Sequence, residues 1–369
     1  GFMKNYGLTV LTFFYAFSFA QVCVATERFE FYNGIRALGM GGATIAVVND
    51  ETALIQNPAA LGKLRDYYLT IIDPELDISA DTQAVVDSDI AAFMSPQDTL
   101  DKIKNKPSRH MYQRAQVFPS FVLQNFGIGF FGKYETVAFI DETSGNVEMN
   151  YINDFAAVMG FNIRLFDGIV KIGGSGRLIN RTTYIRDDIL TTDTNLTIDS
   201  QGKEGVGVGG DVSLLLAAPI TFLPTLAVVY RDVGHTRYDM GSGMLHSTTD
   251  EPDSTRPTLD AAFALFPIIG KTSRMTITGE LRDIMKATED GLNGRQEDDI
   301  QRRMHAGIEF NFSDIFFLRA GMNQRYWTAG MELAIFNYQL QLASYGEDIG
   351  TADDPEEDRR YVAKFAWRF

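Results

Sequence analysis

Cysteine is almost missing from this chain of 369 residues: Cys23 is the single one. Cleavage of an N-terminal leader after Ala25 would leave a mature chain with none, which excludes disulfides, thiol catalysis and cysteine-based metal centres. Histidine is scarce too. His110, His235, His246 and His305 are scattered with no metal-ligand spacing, so neither a metal site nor a cofactor is expected. Cations are in deficit: 33 Lys and Arg against 48 Asp and Glu give a formal charge of -15 and a pI near 4.7. Nucleic-acid binding demands clustered cations and is excluded. Beyond the leader no apolar run is long enough to cross a bilayer as a helix. No G-x-S-x-G elbow and no P-loop occurs, no catalytic residue is assigned, and the chain reads as a non-enzyme. Gly205-Val206-Gly207-Val208-Gly209-Gly210 resembles a dinucleotide loop only superficially, because it opens a strand after a polar loop and does not join strand to helix.

What is present begins with a secretory leader. Met3-Lys4 supplies a positive start, Leu8 to Phe19 an apolar core, and Cys23-Val24-Ala25 a small-residue cleavage site; Gly1-Phe2 read as a scar or an upstream start. Residues 1–25 are therefore assigned to a signal peptide, 26–66 to an N-terminal unit and 67–369 to one large β domain. From Tyr67 onward, stretches of rough period-two alternation are separated by tight turns and longer polar loops in strict alternation. Short turns on one rim and long loops on the other are the pattern of an outer-membrane barrel, and counting the stretches gives about fourteen strands. Among them are Tyr67 to Ala80, Tyr112 to Gln124, Thr225 to Tyr238 and Ile300 to Phe312. In the last of these Ile300, Met304, Ala306, Ile308, Phe310 and Phe312 would face lipid, with Arg303, His305 and Glu309 in the lumen. Residues 82–106 break this grammar and read as two amphipathic helices in the first extracellular loop, with Ser95 as N-cap and Pro96 at the first helical position. They would serve as a lid, a mouth cover or a docking element.

The stretch from Gly34 to Gly62 is neither strand nor amphipathic helix. Gly34, Gly39, Gly41 and Gly42 fall within nine residues, where backbone can turn sharply or pass close to other backbone, and Asn57-Pro58 stops any regular element. On these residues alone a compact plug and an ordinary buried loop are equally consistent. The pattern Arg36, Gly39, Gly42, Ala43 and then Asn57-Pro58-Ala59, soon after a leader, resembles the N-terminal hatch of the FadL-like outer-membrane barrels, and the closing third resembles their TraF-like and PorV-like branches. The resemblance implies a 14-stranded antiparallel transmembrane barrel in the bacterial outer membrane, all-β, with a hatch carrying Gly39, Gly41, Gly42, Asn57, Pro58 and Ala59 in its periplasmic mouth. Tyr361, Phe365, Trp367 and Phe369 share one face of the last strand and resemble the signal read by the barrel assembly machinery.

Gly173, Gly174 and Gly176 inside one strand, and Pro119 inside another, mark a candidate wall kink, which in the fatty acid transporters carries a lateral opening. Inward Arg177, Arg303 and Arg319 either pair with lumenal carboxylates or hold a ligand carboxylate bidentately. The acidic loop from Glu347 to Asp358 is either solvated or gathers calcium with lipopolysaccharide. Two functions follow. In one, a monomeric barrel passes hydrophobic molecules such as long-chain fatty acids through a hatch-gated lumen, with an apolar pocket above Asn57-Pro58-Ala59. In the other, a PorV-like scaffold holds a surface protein partner and its lumen is filled. A lipid-hydrolysing site is the remaining alternative.

Overall fold

The computed structural model describes residues 30–85, 95–106, 109–141, 144–246, 248–285, 299–350 and 354–369. The leader assignment and part of the expected helical insertion (86–94) lie outside them. Among the described residues there are sixteen strand segments, of which the first half comprises β1 (Tyr68–Ile72), β2 (Glu75–Ser79), β3 (Met111–Val117), β4 (Ser120–Leu123), β5 (Phe126–Ile140), β6 (Val147–Leu165), β7 (Val170–Ile189) and β8 (Lys203–Ala217). The second half comprises β9 (Thr225–Arg231), β10 (Thr258–Leu265), β11 (Ser273–Leu281), β12 (Met304–Phe312), β13 (Phe316–Asn323), β14 (Tyr326–Ile335), β15 (Tyr338–Asp348) and β16 (Glu357–Arg368). β1 with β2, and β3 with β4, are single wall strands each broken once, so the wall has fourteen strands. All pairs are antiparallel, and β16 closes the barrel on β1 and β2. Both ends of the wall meet on the short-turn rim, where Leu69 and Phe369 exchange backbone hydrogen bonds. That rim is periplasmic by the loop-length rule.

The two breaks lie side by side at Asp73-Pro74 and Phe118-Pro119. A proline has no N–H to give a ladder, yet both prolyl carbonyls still accept, from Phe365 N and Phe130 N. Asp73 fills in for the missing backbone partner: its Oδ1 accepts Phe118 N–H at 2.5 Å and its Oδ2 lies 2.9 Å from Lys364 Nζ. The expected interruption at Pro119 is thus present, and a second one at Pro74 splits the stretch that reads as one strand from Tyr67 to Ala80.

Wall height is uneven. β7 has 20 residues and β9 only 7. At about 3.3 Å per residue and a tilt near 40°, β7 rises roughly 50 Å, about twice the ~25 Å apolar band of such barrels. Its outward residues change accordingly. Nearer the periplasm Phe130, Met159, Phe161, Ile163 and Leu178 are exposed; higher up Ala138, Met149, Tyr151 and Tyr184, on the same outer faces, are buried. What covers them is α4 (Pro96–Ile103) through Leu100 and Ile103, together with Leu196 and Ile198 of the β7–β8 loop, where α5 (Ile198–Gln201) lies. The insertion expected over the barrel mouth therefore clasps the outside of the tall wall in this helix. Ser95 caps it as expected, its Oγ accepting Asp98 N–H; α3 (Ala80–Val85) precedes it.

Three further differences concern strand ends. Ile300–Arg303 is a 3-10 helix capped by Asp299, so the alternation expected from Ile300 starts at Met304. β9 stops at Arg231, not Tyr238, because Asp232, Gly234 and His235 take positive φ and turn the chain away. At Gly173, Gly174 and Gly176 the wall is regular: β7 pairs there with β6 and β8 without a register shift. The expected kink is absent, and Gly173 has another use described below.

Residues 30–64 lie inside the barrel and run round its inner wall. α1 (Ile35–Gly39) packs on β13 to β16. Met40, Ile45, Ala46 and Val47 cover the small residues Ala227, Val229, Ala262 and Ala264 of β9 and β10. α2 (Ala53–Gln56) and the 3-10 helix Pro58–Lys63 close the circuit on β6 to β8.

Candidate functional site

The lumenal segment meets the wall backbone to backbone, which only glycine on the wall permits. Gly307, Gly321 and Gly330 face inward on β12, β13 and β14. A Cβ built on Gly307 would stand 2.3 Å from Met40 O, one on Gly321 2.6 Å from Gly41 N, and one on Gly330 3.0 Å from Gly39 Cα. Gly41 and Gly42 carry φ of +67° and +88°, the left-handed region where other residues are strained. Wall side chains then satisfy the turn. Thr328 Oγ1 accepts Gly41 N–H at 3.0 Å and donates to Gly39 O at 3.1 Å; His305 Nδ1 lies 2.9 Å from Gly41 O. Glu280 Oε2 accepts the N–H groups of Thr44 (2.7 Å) and Ile45 (3.0 Å), and Arg282, which also donates to Gly42 O, donates to the other carboxylate oxygen.

Asn57-Pro58-Ala59 has a seat of the same kind. Asn57 caps the 3-10 helix, its Oδ1 accepting Ala59 N–H while its Nδ2 donates to Ile45 O at 2.6 Å. Ser213 Oγ also accepts Ala59 N–H, and Asn162 Nδ2 donates to Ala59 O. A Cβ on Gly173 would come within 2.1 Å of Ala59 N and 2.2 Å of Pro58 C. Gly173 is thus a seat for the Pro58-Ala59 backbone. Gly176, on the outer face, would meet nothing within 4 Å, and a Cβ on Gly174 would meet lipid-facing Phe161 and, at 3.8 Å, Asp211 O, but no atom of the lumenal segment. The space around this element is filled by Leu54, Leu61, Phe118, Phe131, Ile179 and Tyr238, not by the apolar pocket expected there.

A third glycine row explains the Gly205 to Gly210 run. Gly205 and Gly207 would clash with Tyr238 O at 2.2 Å and Arg237 O at 2.1 Å, and Gly209 with Thr236 Oγ1 at 2.6 Å. The run is the floor on which the loop after β9 crosses the inner wall.

Lumenal charge is organised in pairs. Arg319 Nε donates to Glu309 at 2.7 Å and its Nη2 to Glu332, while Arg36 of the lumenal segment takes Glu309 through Nε and Nη2 and Asp50 through Nη1. Arg177 joins Asp211 (2.7 Å) and Asp232 (2.5 Å) under the Phe31 ring. Arg303 is buried at the extracellular end, its Nη1 3.5 Å from Asp283 O. Arg177 and Arg319 are therefore already engaged by protein carboxylates. A cavity of about 560 Å³ opens at the periplasmic rim between Asn49–Thr52 and the β11–β16 wall; Arg36, Asp50, Glu51, Glu309, Arg319 and Arg368 line it. Near this rim the Lys63 ammonium is pulled down to about 7 by burial and by the positive charges of Arg36 and Lys171. Arg368 Nη1 ties Glu51 at 2.7 Å. Among the described residues no cluster of metal-ligating side chains is present.

Tyr361, Phe365 and Phe369 are exposed on the outer face at the end of the wall, with Trp367 half-buried and its ring tilted against that of Phe369 at 5.5 Å. Thr328 and the inward glycines of β12 to β14 escaped sequence reasoning. Their only signal is glycine at inward positions of neighbouring strands, which needs the register to be seen.

A closed antiparallel barrel of fourteen strands, apolar outside, charged and occupied by its own N-terminal segment inside, defines a class of outer-membrane protein. No family model and no curated protein matches the sequence. Solved structures do match in fold. A deltaS2S3 mutant of TodX, described as a monoaromatic hydrocarbon channel, aligns over 91% of this chain and 98% of its own with a TM-score of 0.54 at 14% identity. The Pseudomonas putida toluene transporter TodX aligns over 91% and 97% with 0.51 at 13%, and the Ralstonia pickettii toluene transporter TbuX over 91% and 98% with 0.51 at 12%. The chain has the FadL-like barrel fold, which places it in the bacterial outer membrane.

Proposed function

We propose that this barrel admits small hydrophobic molecules passively across the outer membrane, with residues 30–64 as its hatch and no chemistry performed on the cargo. The observation that carries this reading is how the segment is held: by seats and polar ties to the wall, next to a water-accessible cavity, with no covalent bond. Polar ties of this kind exchange for water at small net cost, so the segment suits a gate. The monoaromatic hydrocarbon and toluene cargo of the fold neighbours supports the cargo class, and the acyl chain of a fatty acid belongs to it as well. A polar rim on the periplasmic side suits departure of an apolar cargo sideways, and the paired breaks at Asp73-Pro74 and Phe118-Pro119 are the candidate place.

A second reading has an observation of its own. In the upper lumen Tyr112, Tyr345, Arg114, Arg360, Asp77 and Glu135 form a buried network, with Tyr345 O–H donating to Asp77 at 2.7 Å and Tyr112 O–H to Glu135 at 2.9 Å. A lumen filled this way suits a scaffold that holds a protein partner at the surface. The test is saturable binding of radiolabelled toluene and of a radiolabelled long-chain fatty acid to the purified, folded barrel, beside Gly173→Val, which displaces Pro58-Ala59. Saturable binding of either probe, altered by the variant, supports transport. No binding of either by a heat-modifiable barrel overturns it and favours the scaffold.

A further inference from the structure

The loop after β9 leaves the lumen and reaches the outside of the wall. From Tyr238, whose ring is buried in the lumenal core, the chain crosses to the free upper edge of β8. Met240 N–H donates to Val206 O at 3.0 Å and Val206 N–H to Gly241 O at 3.3 Å. It then covers two outward side chains, Asn180 and Glu204, each only 2% exposed. On the outer face these stand just above Leu178 and Val208, which are about half exposed and belong to the lipid-facing band. Met240 (64%), Met244 (71%) and Leu245 (52%) continue that apolar surface upward. Counting from Ala217 at the periplasmic end of β8, Val206 stands roughly 28 Å up at ~3.3 Å per residue and a 40° tilt, the upper edge of a ~25 Å apolar band.

Irregular backbone can sit against acyl chains only if its polar groups find partners in the protein. This loop meets that condition. The Glu204 carboxylate accepts three consecutive N–H groups, Met244 (3.1 Å), Leu245 (3.0 Å) and His246 (2.6 Å), and Asn180 bridges to both sides, its Nδ2 donating to Glu204 and its Oδ1 accepting Met244 N–H. His246 Nδ1 lies 2.9 Å from Asp199, tying the loop to the one after β7. An outward carboxylate at the membrane edge is costly if left bare; here the amide N–H groups stand in for its hydration. We infer that Met240, Met244 and Leu245 form a foot that embeds in the acyl chains of the outer leaflet, with Glu204 and Asn180 as the bracket that lets its backbone enter. The consequence is that the wall beside the short β9 is completed by a lipid-seated loop and not by a strand. This holds whatever the barrel carries.

The experiment places bimane at Met244→Cys in the Cys23→Ser background, in nanodiscs of plain or brominated phosphatidylcholine. Phe161→Cys serves as the lipid-facing reference and Asp101→Cys, on the exposed side of α4, as the aqueous one. Quenching of Met244→Cys by brominated lipid at least twofold, as at Phe161, with iodide quenching several-fold below that at Asp101, is the expected result. Behaviour like that of Asp101, whether the loop stands in water or away from the bilayer, overturns the foot. Glu204→Ala, with heat-modifiable migration confirming a folded barrel, should abolish lipid quenching at residue 244 and leave residue 161 unchanged. Unchanged quenching at both positions overturns the bracket.

Discussion

Replacing Gly173 by alanine adds one methyl group, yet it should undock the centre of the lumenal segment. The new Cβ would lie 2.1 Å from Ala59 N and 2.2 Å from Pro58 C, so backbone itself must move. Overpacking of this kind costs about 1–3 kcal/mol. Lifting the 3-10 helix also breaks the Ala59 bonds to Ser213 and Asn162, at about 1 kcal/mol each. The sum, about 3–5 kcal/mol, corresponds to a factor of roughly 10² to 10⁴ in the docking equilibrium. The assay is the rate of thiol labelling at Ala60→Cys, a fully buried position on the same helix. Gly176→Ala is the control, since its Cβ would meet nothing within 4 Å although it lies on the same strand. Labelling should rise about a hundredfold or more for Gly173→Ala and stay within twofold for Gly176→Ala. Equal behaviour of the two variants would refute the seat and restore a role for the glycines in wall flexibility.

Glu309→Gln removes the carboxylate shared by Arg36 and Arg319, leaving Arg36 with Asp50 and Asn49 and Arg319 with Glu332. Docking of α1 should weaken by about 1–3 kcal/mol, seen as a ten- to hundredfold faster labelling of Ala37→Cys with residue 60 unaffected. Lys63 predicts a pH dependence. Its ammonium is near 7 in the docked state and 10.5 as the reference, so the undocked state binds more protons between those values. Docking should therefore strengthen as pH rises from about 7 to 10.5 and level off on either side; Lys63→Met should flatten that segment of the labelling curve, and a slope that survives the substitution would assign it elsewhere. Phe369→Ala should slow assembly of the barrel into membranes without lowering the heat-modifiability of the barrels that form, as read by pulse-labelled folding.

Much of the architecture is legible in the chain because barrel strands obey period two and the two rims use different loop lengths. The wall of fourteen strands, the closing C-terminal strand, the Ser95 cap and the interruption at Pro119 all follow from local rules. Glycine was the residue most open to misreading. Gly173 in isolation signals a weak or bent strand, and Gly205 to Gly210 a nucleotide loop. Neither is so, because a glycine's use depends on what backbone lies opposite, and Ala59 and Tyr238 are more than a hundred and about thirty residues away in sequence. Register, not composition, brings Gly307, Gly321 and Gly330 into one patch beneath Gly39 to Gly42. The same holds for charge. Arg177 and Arg319 could be recognised as inward-facing, but only the curvature of the wall decided that carboxylates from neighbouring strands would reach them first. Sequence by itself determined the membrane, the topology and which face of each strand meets lipid, since those depend on spacing along the chain. Tertiary structure alone decided where the N-terminal segment rests, that α4 clasps the outer wall and that the loop after β9 leaves the lumen, since those depend on which distant surfaces are flat, small or unpaired once the barrel has closed.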